Sequence, residues 1–244
     1  MSTHDIAAEK ESGFDPLYEG RAPIEGLGLS FRFAPWDIGG PQPVVMELEA
    51  AAGFGDAVLD AGCGRGEHAI YLAGRGHRVT GVDSSSAAIE QAGERARAAG
   101  ADVEFTVGEA TRLDALPGRF DTVLDYGLYH CLPADAGRQY AEALHRICEP
   151  AARVQLFCFS ETAPPGMPPA ALRVAEDALR ADLAGLWTIL GIEEKRSVTS
   201  FTREFLVKQR DNAPGGLEFD IDALEEDDTG RILLPIWHVT AERI

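Results

Sequence analysis

The chain has 244 residues, 45% of them apolar, which is enough for one α/β domain with a sizeable core. It carries 22 basic residues against 40 acidic ones, a formal charge of −18, and this excludes nucleic acid and anionic membranes as natural partners because they bind clustered Lys and Arg. Four scattered cysteines without metal-ligand spacing, a polar start and no run near the ~20 apolar residues of a membrane span point to free thiols, no metal, no membrane and a cytoplasmic protein.

Residues 1–13 read as a polar tail. The next stretch, FDPLYEGRAPIEGLGLSFRFAPWDIGGPQP (14–43), is rich in aromatics, glycine and proline and has little periodicity. A loop that long is usually functional or disordered, and its aromatic content argues against disorder. A helix is predicted over 44–52, ended by Gly53 and Gly55. Strands and helices then alternate: strand 57–59, helix 67–73, strand 77–82, and a helix capped by Ser84 or Ser85 that reaches Ala99 with Gly100 behind it. Strand 102–107, strand 120–125, helix 134–148 and strand 153–159 follow. Apolar strands in this rhythm predict a parallel sheet with helices on both faces. After the loop APPGMPP (163–169), the pattern predicts an amphipathic helix over 170–184 and strands over 187–195 and 231–240. The intervening segment, 197–230, rich in phenylalanine and charge, is expected to be a cap insertion.

The stretch VLDAGCGRGEH (58–68) carries the chemistry. Glycines 62, 64 and 66 allow positive φ and close approach of a ligand to the backbone. The dinucleotide fingerprint G-x-G-x-x-G fails here, because Glu67 takes its third glycine position and Asp60 enters the turn. A P-loop is excluded as well, since Glu67-His68 stand where its lysine would be. Phosphate is therefore the wrong ligand, and a nicotinamide oxidoreductase is disfavoured. Asp83 ends the second strand, where an acidic side chain grips ribose hydroxyls. A ribose, no phosphate and a cation near Asp60 together fit S-adenosylmethionine (SAM).

Val58–Gly66 resembles motif I of the class I SAM-dependent methyltransferases, D/E-x-G-x-G-x-G, and Val79–Asp83 resembles their motif II. Gly108-Glu109-Ala110 is similar to the family's G-D-A, whose acidic side chain takes the adenine amino group; Glu here replaces the commoner Asp. Phe120–Asp125 resembles motif IV, beside the methionine moiety, while CEPAAR (148–153) departs from the usual L-x-P-G-G. These motifs span roughly residues 35–160. APWDIGGPQP (34–43) and DYGLYHCLP (125–133) further resemble segments of the small-molecule members that act on thiopurines, thiols and heterocyclic toxins.

The resemblance implies an α/β, Rossmann-like seven-stranded sheet of order 3-2-1-4-5-7-6 with strand 7 antiparallel. It also implies an N-terminal tail and active-site lid over 1–43 and a methyltransferase domain over 44–244. The cofactor would be SAM, leaving as S-adenosylhomocysteine, held by Trp36, Asp60, Gly62, Cys63, Gly64, Gly66, Asp83, Ser84, Glu109, Ala110 and Asp125. Phe14, Tyr18, Tyr126 and Phe159 are candidate acceptor-binding residues, with Phe201 and Phe205 as further walls. His130, as a weak base, and Tyr129 are the catalytic candidates, and His68 is expected to be neutral at a helix start. The expected activity is methyl transfer to O, N or S of a small aromatic or heterocyclic molecule by a monomer or homodimer. The alternatives are a thiol or halide methyltransferase, or a non-catalytic SAM-binding regulator.

Overall fold

The buried pentapeptide Ala57–Ala61 forms β1, the strand around which the rest is laid. A strand covered on both faces tolerates a continuous apolar run, as this one largely is. A computed structural model describes Tyr18, residues 35–113, Leu116, and residues 119–212 and 220–244. Helix α1 (Pro43–Ala50) precedes β1, and α2 (Glu67–Gly74), β2 (Arg78–Asp83), α3 (Ser86–Ala99), β3 (Val103–Val107) and β4 (Phe120–Tyr126) follow it. Then come α4 (Gly137–Ile147), β5 (Cys148–Phe159), α5 (Glu176–Leu183), β6 (Trp187–Thr202), α6 (Arg203–Asn212), β7 (Glu225–Glu226) and β8 (Arg231–Arg243).

The sheet runs β3-β2-β1-β4-β5-β8-β6, the expected order, and the two-residue β7 pairs with β8 as an eighth strand. β1 to β5 are mutually parallel, whereas β8 is antiparallel to both β5 and β6. β6 therefore points the same way as β1–β5, and its last residues reach the carboxyl edge of the sheet. In open α/β sheets that edge is where ligands bind.

Local sequence explains the elements that frame this edge. The Ser85 hydroxyl accepts the Ala88 N–H at 3.1 Å and caps α3, and Gly100 closes the helix at φ +64°. Ala88, Ala92 and Ala96, four residues apart, form its buried stripe, and their small size lets α3 lie close to the sheet. Two apolar clusters flank the sheet: one centred on Leu59, Val123, Tyr140, Leu144 and Leu156, the other on Val58, Leu72, Leu124 and Phe157.

Three expectations need correction. The helix predicted over 170–184 is α-helical only over Glu176–Leu183, after a 3-10 turn at Ala170–Leu172. The Arg173 guanidinium donates to the Pro164 and Pro168 carbonyls, and Val174 bridges to Ser160, which holds the intervening backbone extended. CEPAAR is not a turn ahead of its strand but an irregularity inside β5. Phe120 pairs with Cys148 and Thr122 with Arg153, so the chain between them bulges outward through Ala151 at φ +60°. An alanine there takes the left-handed conformation usually given to glycine, at a cost of about 1–2 kcal/mol. Finally, 197–230 is not a separate insertion throughout. β6 continues to Thr202, and the remainder builds a third apolar cluster from Met167, Phe201, Leu206, Ile221, Leu224, Ile232 and Leu234. Phe201 and Phe205 stack on each other in and against this cluster, at 5.5 Å between ring centroids.

Candidate active site

After β1 the chain turns through Gly62 at φ +71° and Gly64 at φ +52°. A Cβ at Gly62 would stand 2.7 Å from the Leu128 Cβ, and one at Gly64 would meet the Tyr18 hydroxyl at 2.9 Å. Gly66, at φ +80°, is the N-cap of α2. The Gly62 and Cys63 N–H groups both donate to the Val82 carbonyl, at 2.8 and 3.0 Å, clamping the turn onto β2. The Cys63 thiol is buried beneath the loop against Gly81. Asp83, at the end of β2, accepts the Gly64 N–H through Oδ2 and the Ser85 N–H through Oδ1, each at 2.9 Å. Ser84 is exposed beside it.

Two more carboxylates lie under this turn, on neighbouring strands. Asp60 and Asp125 are buried, and Ala61 pairs with Asp125 across β1 and β4. Asp60 accepts the Ala69 N–H, but its Oδ2 has no hydrogen-bond partner among the described residues. Asp125 Oδ1 accepts the Leu128 and Tyr129 N–H groups at 2.9 and 3.3 Å, and the Tyr140 hydroxyl lies against the same carboxyl. Burial pushes both carboxyls up to about 7, and for Asp60 the charges of Asp125 and Asp83 add to the effect. A buried acceptor without a donor is rare, and the Asp60 oxygen beneath the glycine turn suits a cationic ligand group.

Beyond β3, Glu109 and Ala110 line a cavity of about 270 Å³ with Thr111, Leu132, Pro133 and Gln139. It opens between the end of β3 and the turn after β4. A second cavity of about 230 Å³ lies under α1 against Phe157 and His238, partway down the sheet and away from this edge.

A family of methyltransferase domains matches residues 58–151. The 2-heptyl-1-hydroxyquinolin-4(1H)-one methyltransferase of Mycobacteroides abscessus is 35% identical over 185 residues, 75% of this chain and 79% of that protein. The chain belongs to the class I SAM-dependent methyltransferases, small-molecule type. A solved structure from work on the conversion of a disulfide bond into a thioacetal group during echinomycin biosynthesis is 33% identical. It superimposes with a TM-score of 0.73 over 94% of this chain and 90% of that one. The fold is shared with the Burkholderia thailandensis 1,6-didemethyltoxoflavin-N1-methyltransferase, with TM-score 0.59, 23% identity, and coverage of 100% and 91%.

The methyltransferase holds its acceptor candidates on the β4–β5 side of the turn. The Tyr126 hydroxyl donates to Ser197 Oγ at 2.7 Å, and its ring packs on His68 and Phe157. His68 is neutral as expected: burial lowers it to about 4, and its Nε2 accepts the Gln42 N–H at 3.3 Å. Tyr129 and His130 diverge. The Tyr129 hydroxyl donates to Asp182 Oδ2 at 2.5 Å, which ties it to α5. His130 leans on the Phe159 ring, with centroids 4.4 Å apart, and its Nδ1 accepts the Phe159 N–H at 3.3 Å. Burial lowers His130 to about 3, so the ring is neutral and its one proton sits on Nε2. In this arrangement His130 presents an Nε2–H donor.

The lead-in segment contributes residues that sequence reasoning passed over. Asp37 forms an ion pair with Arg65 of the glycine turn at 2.5 Å. Arg65 also donates to Gln91 Oε1, and Gln91 Nε2 donates to the Tyr18 carbonyl. The Tyr18 hydroxyl, hydrogen-bonded to Trp36, reaches the backbone of Gly64, so Tyr18 lies at the cofactor turn. Gln42 is buried and bonds both backbone groups of Val198 through its side-chain amide. Asp37 and Gln42 stand inside the quoted APWDIGGPQP stretch, but their partners are distant in sequence. Phe14 lies outside the described residues.

Proposed function

We propose that this enzyme methylates an O, N or S atom of a small planar heteroaromatic molecule. The tilted His130–Phe159 ring pair at the carboxyl edge is the observation that carries the reading, because flat faces bury planar rings well. The hydroxyquinolone acceptor named for the Mycobacteroides relative supports it. When bound, SAM supplies a methyl group already activated by its sulfonium. The chain's own residues have to bind, orient and exclude water. Asp83 would hold the ribose hydroxyls, Glu109 and Ala110 the adenine, and Asp60 and Asp125 the ammonium end. Positioning of this kind is worth ~7–11 kcal/mol in favourable cases.

Residues 1–43 serve in this reading as a lid over the 44–244 domain. Its described end is stitched to the β6 rim: the Pro35 carbonyl accepts the Ser200 N–H at 2.8 Å, and Arg231 donates to the Ile38 carbonyl at 3.4 Å. A second reading, a sulfur acceptor, is favoured by the relative from echinomycin biosynthesis, whose described chemistry takes place at a disulfide.

The test is a panel of phenols, hydroxyquinolones, thiols and halides screened for release of S-adenosylhomocysteine. Turnover with ring compounds is expected. Robust transfer to thiols or iodide with none to any ring compound contradicts the aromatic reading, and cofactor binding without turnover on the whole panel points to the regulatory alternative.

A further inference from the structure

The tyrosine and histidine side chains at the carboxyl edge that could take a proton from an acceptor are, among the described residues, engaged elsewhere, and the buried Asp60 and Asp125 carboxyls belong to the cofactor side of the proposed site. The Tyr126 hydroxyl is committed to Ser197, the Tyr129 hydroxyl to Asp182, and the His68 lone pair to the Gln42 N–H. The His130 lone pair faces the Phe159 N–H. What remains is the His130 Nε2–H. No described residue accepts it, and the nitrogen is not sealed from solvent. Gly127 stands behind the ring at φ +95°, where a Cβ would lie 3.4 Å from the His130 Cε1, so the imidazole is confined between Gly127 and Phe159.

Resting on the acceptor reading above, we infer that His130 is a specificity residue that donates its Nε2–H to an acceptor arriving already ionised. The enzyme therefore selects heteroaromatic acceptors whose own O–H, N–H or S–H is acidic enough to ionise in solution. A donor beside the nucleophilic atom, or beside a ring nitrogen or carbonyl that shares its charge, favours the anion over the neutral acid. Hydrogen bonds to a charged partner are roughly twice as strong as neutral ones. The proton has gone to solvent before transfer. The acceptor's lone pair then forms the bond to the methyl carbon while the carbon–sulfur bond breaks, its electron pair staying on sulfur, and no proton is left for the protein to remove.

The titratable groups on the elements packed around His130 are Asp121, Asp125 and Tyr126 on β4, Tyr129 and Cys131 in its own turn, and Cys148, Glu149, Arg153 and Cys158 on β5, with Asp182 of α5 held by Tyr129. None of them contributes to the lowering of the imidazole, which comes from burial alone. The ring thus stays neutral through the pH range in which weakly acidic phenols and hydroxyquinolones ionise.

The experiment uses the full chain with S-adenosylhomocysteine bound and reads the absorbance of nitrophenols and hydroxyquinolines of graded acidity against pH. In the wild type the bound ring compound should ionise at lower pH than when free, a preference for the anion of about tenfold or more. His130→Asn places an amide oxygen near the Nδ1 position and keeps the Phe159 contact without the Nε2 donor, so the shift should vanish. His130→Gln places an amide N–H near Nε2 and should retain most of it. In turnover assays the pH midpoint of kcat/KM should follow each acceptor's own acidity. A single midpoint near 6–7 shared by all acceptors and lost in His130→Asn overturns the inference and makes the histidine a base. Unchanged bound ionisation in His130→Asn overturns it too, leaving the ring as packing. A wild type that binds none of the ring compounds sinks the acceptor reading itself, whereas one that methylates them with no shift in bound ionisation sinks only the role of His130.

Discussion

At the scale of single residues, the two buried carboxylates under the glycine turn give the sharpest handle. Asp60 and Asp125 are raised from an ordinary 3.8 to about 7. Between those values the folded chain holds protons that the unfolded chain has lost. Their contribution to stability is therefore complete below about pH 4 and disappears as the pH rises through 7. A cation bound against these carboxyls reverses the preference and draws the protons off. Cofactor binding near neutral pH should therefore release protons and tighten as the pH goes from about 6 to 8. Calorimetry at pH 7 in buffers of different ionisation enthalpy reads this directly; a binding heat independent of buffer would remove both carboxylates from the cofactor site. The sequence reached Asp60 through its place two residues before Gly62, and Asp125 through motif IV. It had no means of separating Tyr129 from His130. They are adjacent, and only the 3-10 turn at Tyr129–Cys131 spreads their side chains about 120° apart, one toward α5 and one toward Phe159.

At the scale of elements, the strand–turn–helix unit around residues 57–74 was legible because its signals are local: an apolar strand, three glycines and a helix start. The helix over 170–184 was misjudged because its first third is held extended by bonds to the carbonyls of Pro164 and Pro168 and by the bridge to Ser160, none of which local periodicity registers. The same limit hid the stitching of the lead-in segment to β6. Gln42 acts there like a short extra strand, its Nε2 donating to the Val198 carbonyl at 2.8 Å and its Oε1 accepting the Val198 N–H at 3.0 Å. Gln42→Ala leaves both Val198 groups buried without partners, and each such group costs about 1–3 kcal/mol. Denaturant unfolding should show a loss of that order, accompanied by a raised KM for the acceptor. An unchanged unfolding midpoint would mean that water replaces the amide and the latch carries no weight.

At the scale of the molecule, sheet order and charge act on the same edge. Because β8 is antiparallel and β6 returns parallel to β1–β5, the third apolar cluster is built beside the carboxyl ends of the strands and not at the opposite end. The order could be anticipated from the resemblance; the cluster could not, because its members come from 167, 201–206, 221–224 and 232–234, and only folding brings them together. A charge of −18 gives nucleic acid no purchase and slightly favours a cationic cofactor. In the proposed reading the cofactor lies across the ends of β1–β3 and the acceptor ring at the ends of β4 and β5. The most direct measurement is a crystal structure of the full chain with S-adenosylhomocysteine and a hydroxyquinoline. It should show the ribose on Asp83, the adenine in the cavity beside Glu109, Ala110 and Pro133, and the acceptor ring against Phe159 with a heteroatom within hydrogen-bond distance of His130 Nε2. A cofactor seated away from Asp83, or an acceptor bound anywhere but at the ends of β4 and β5, would contradict it.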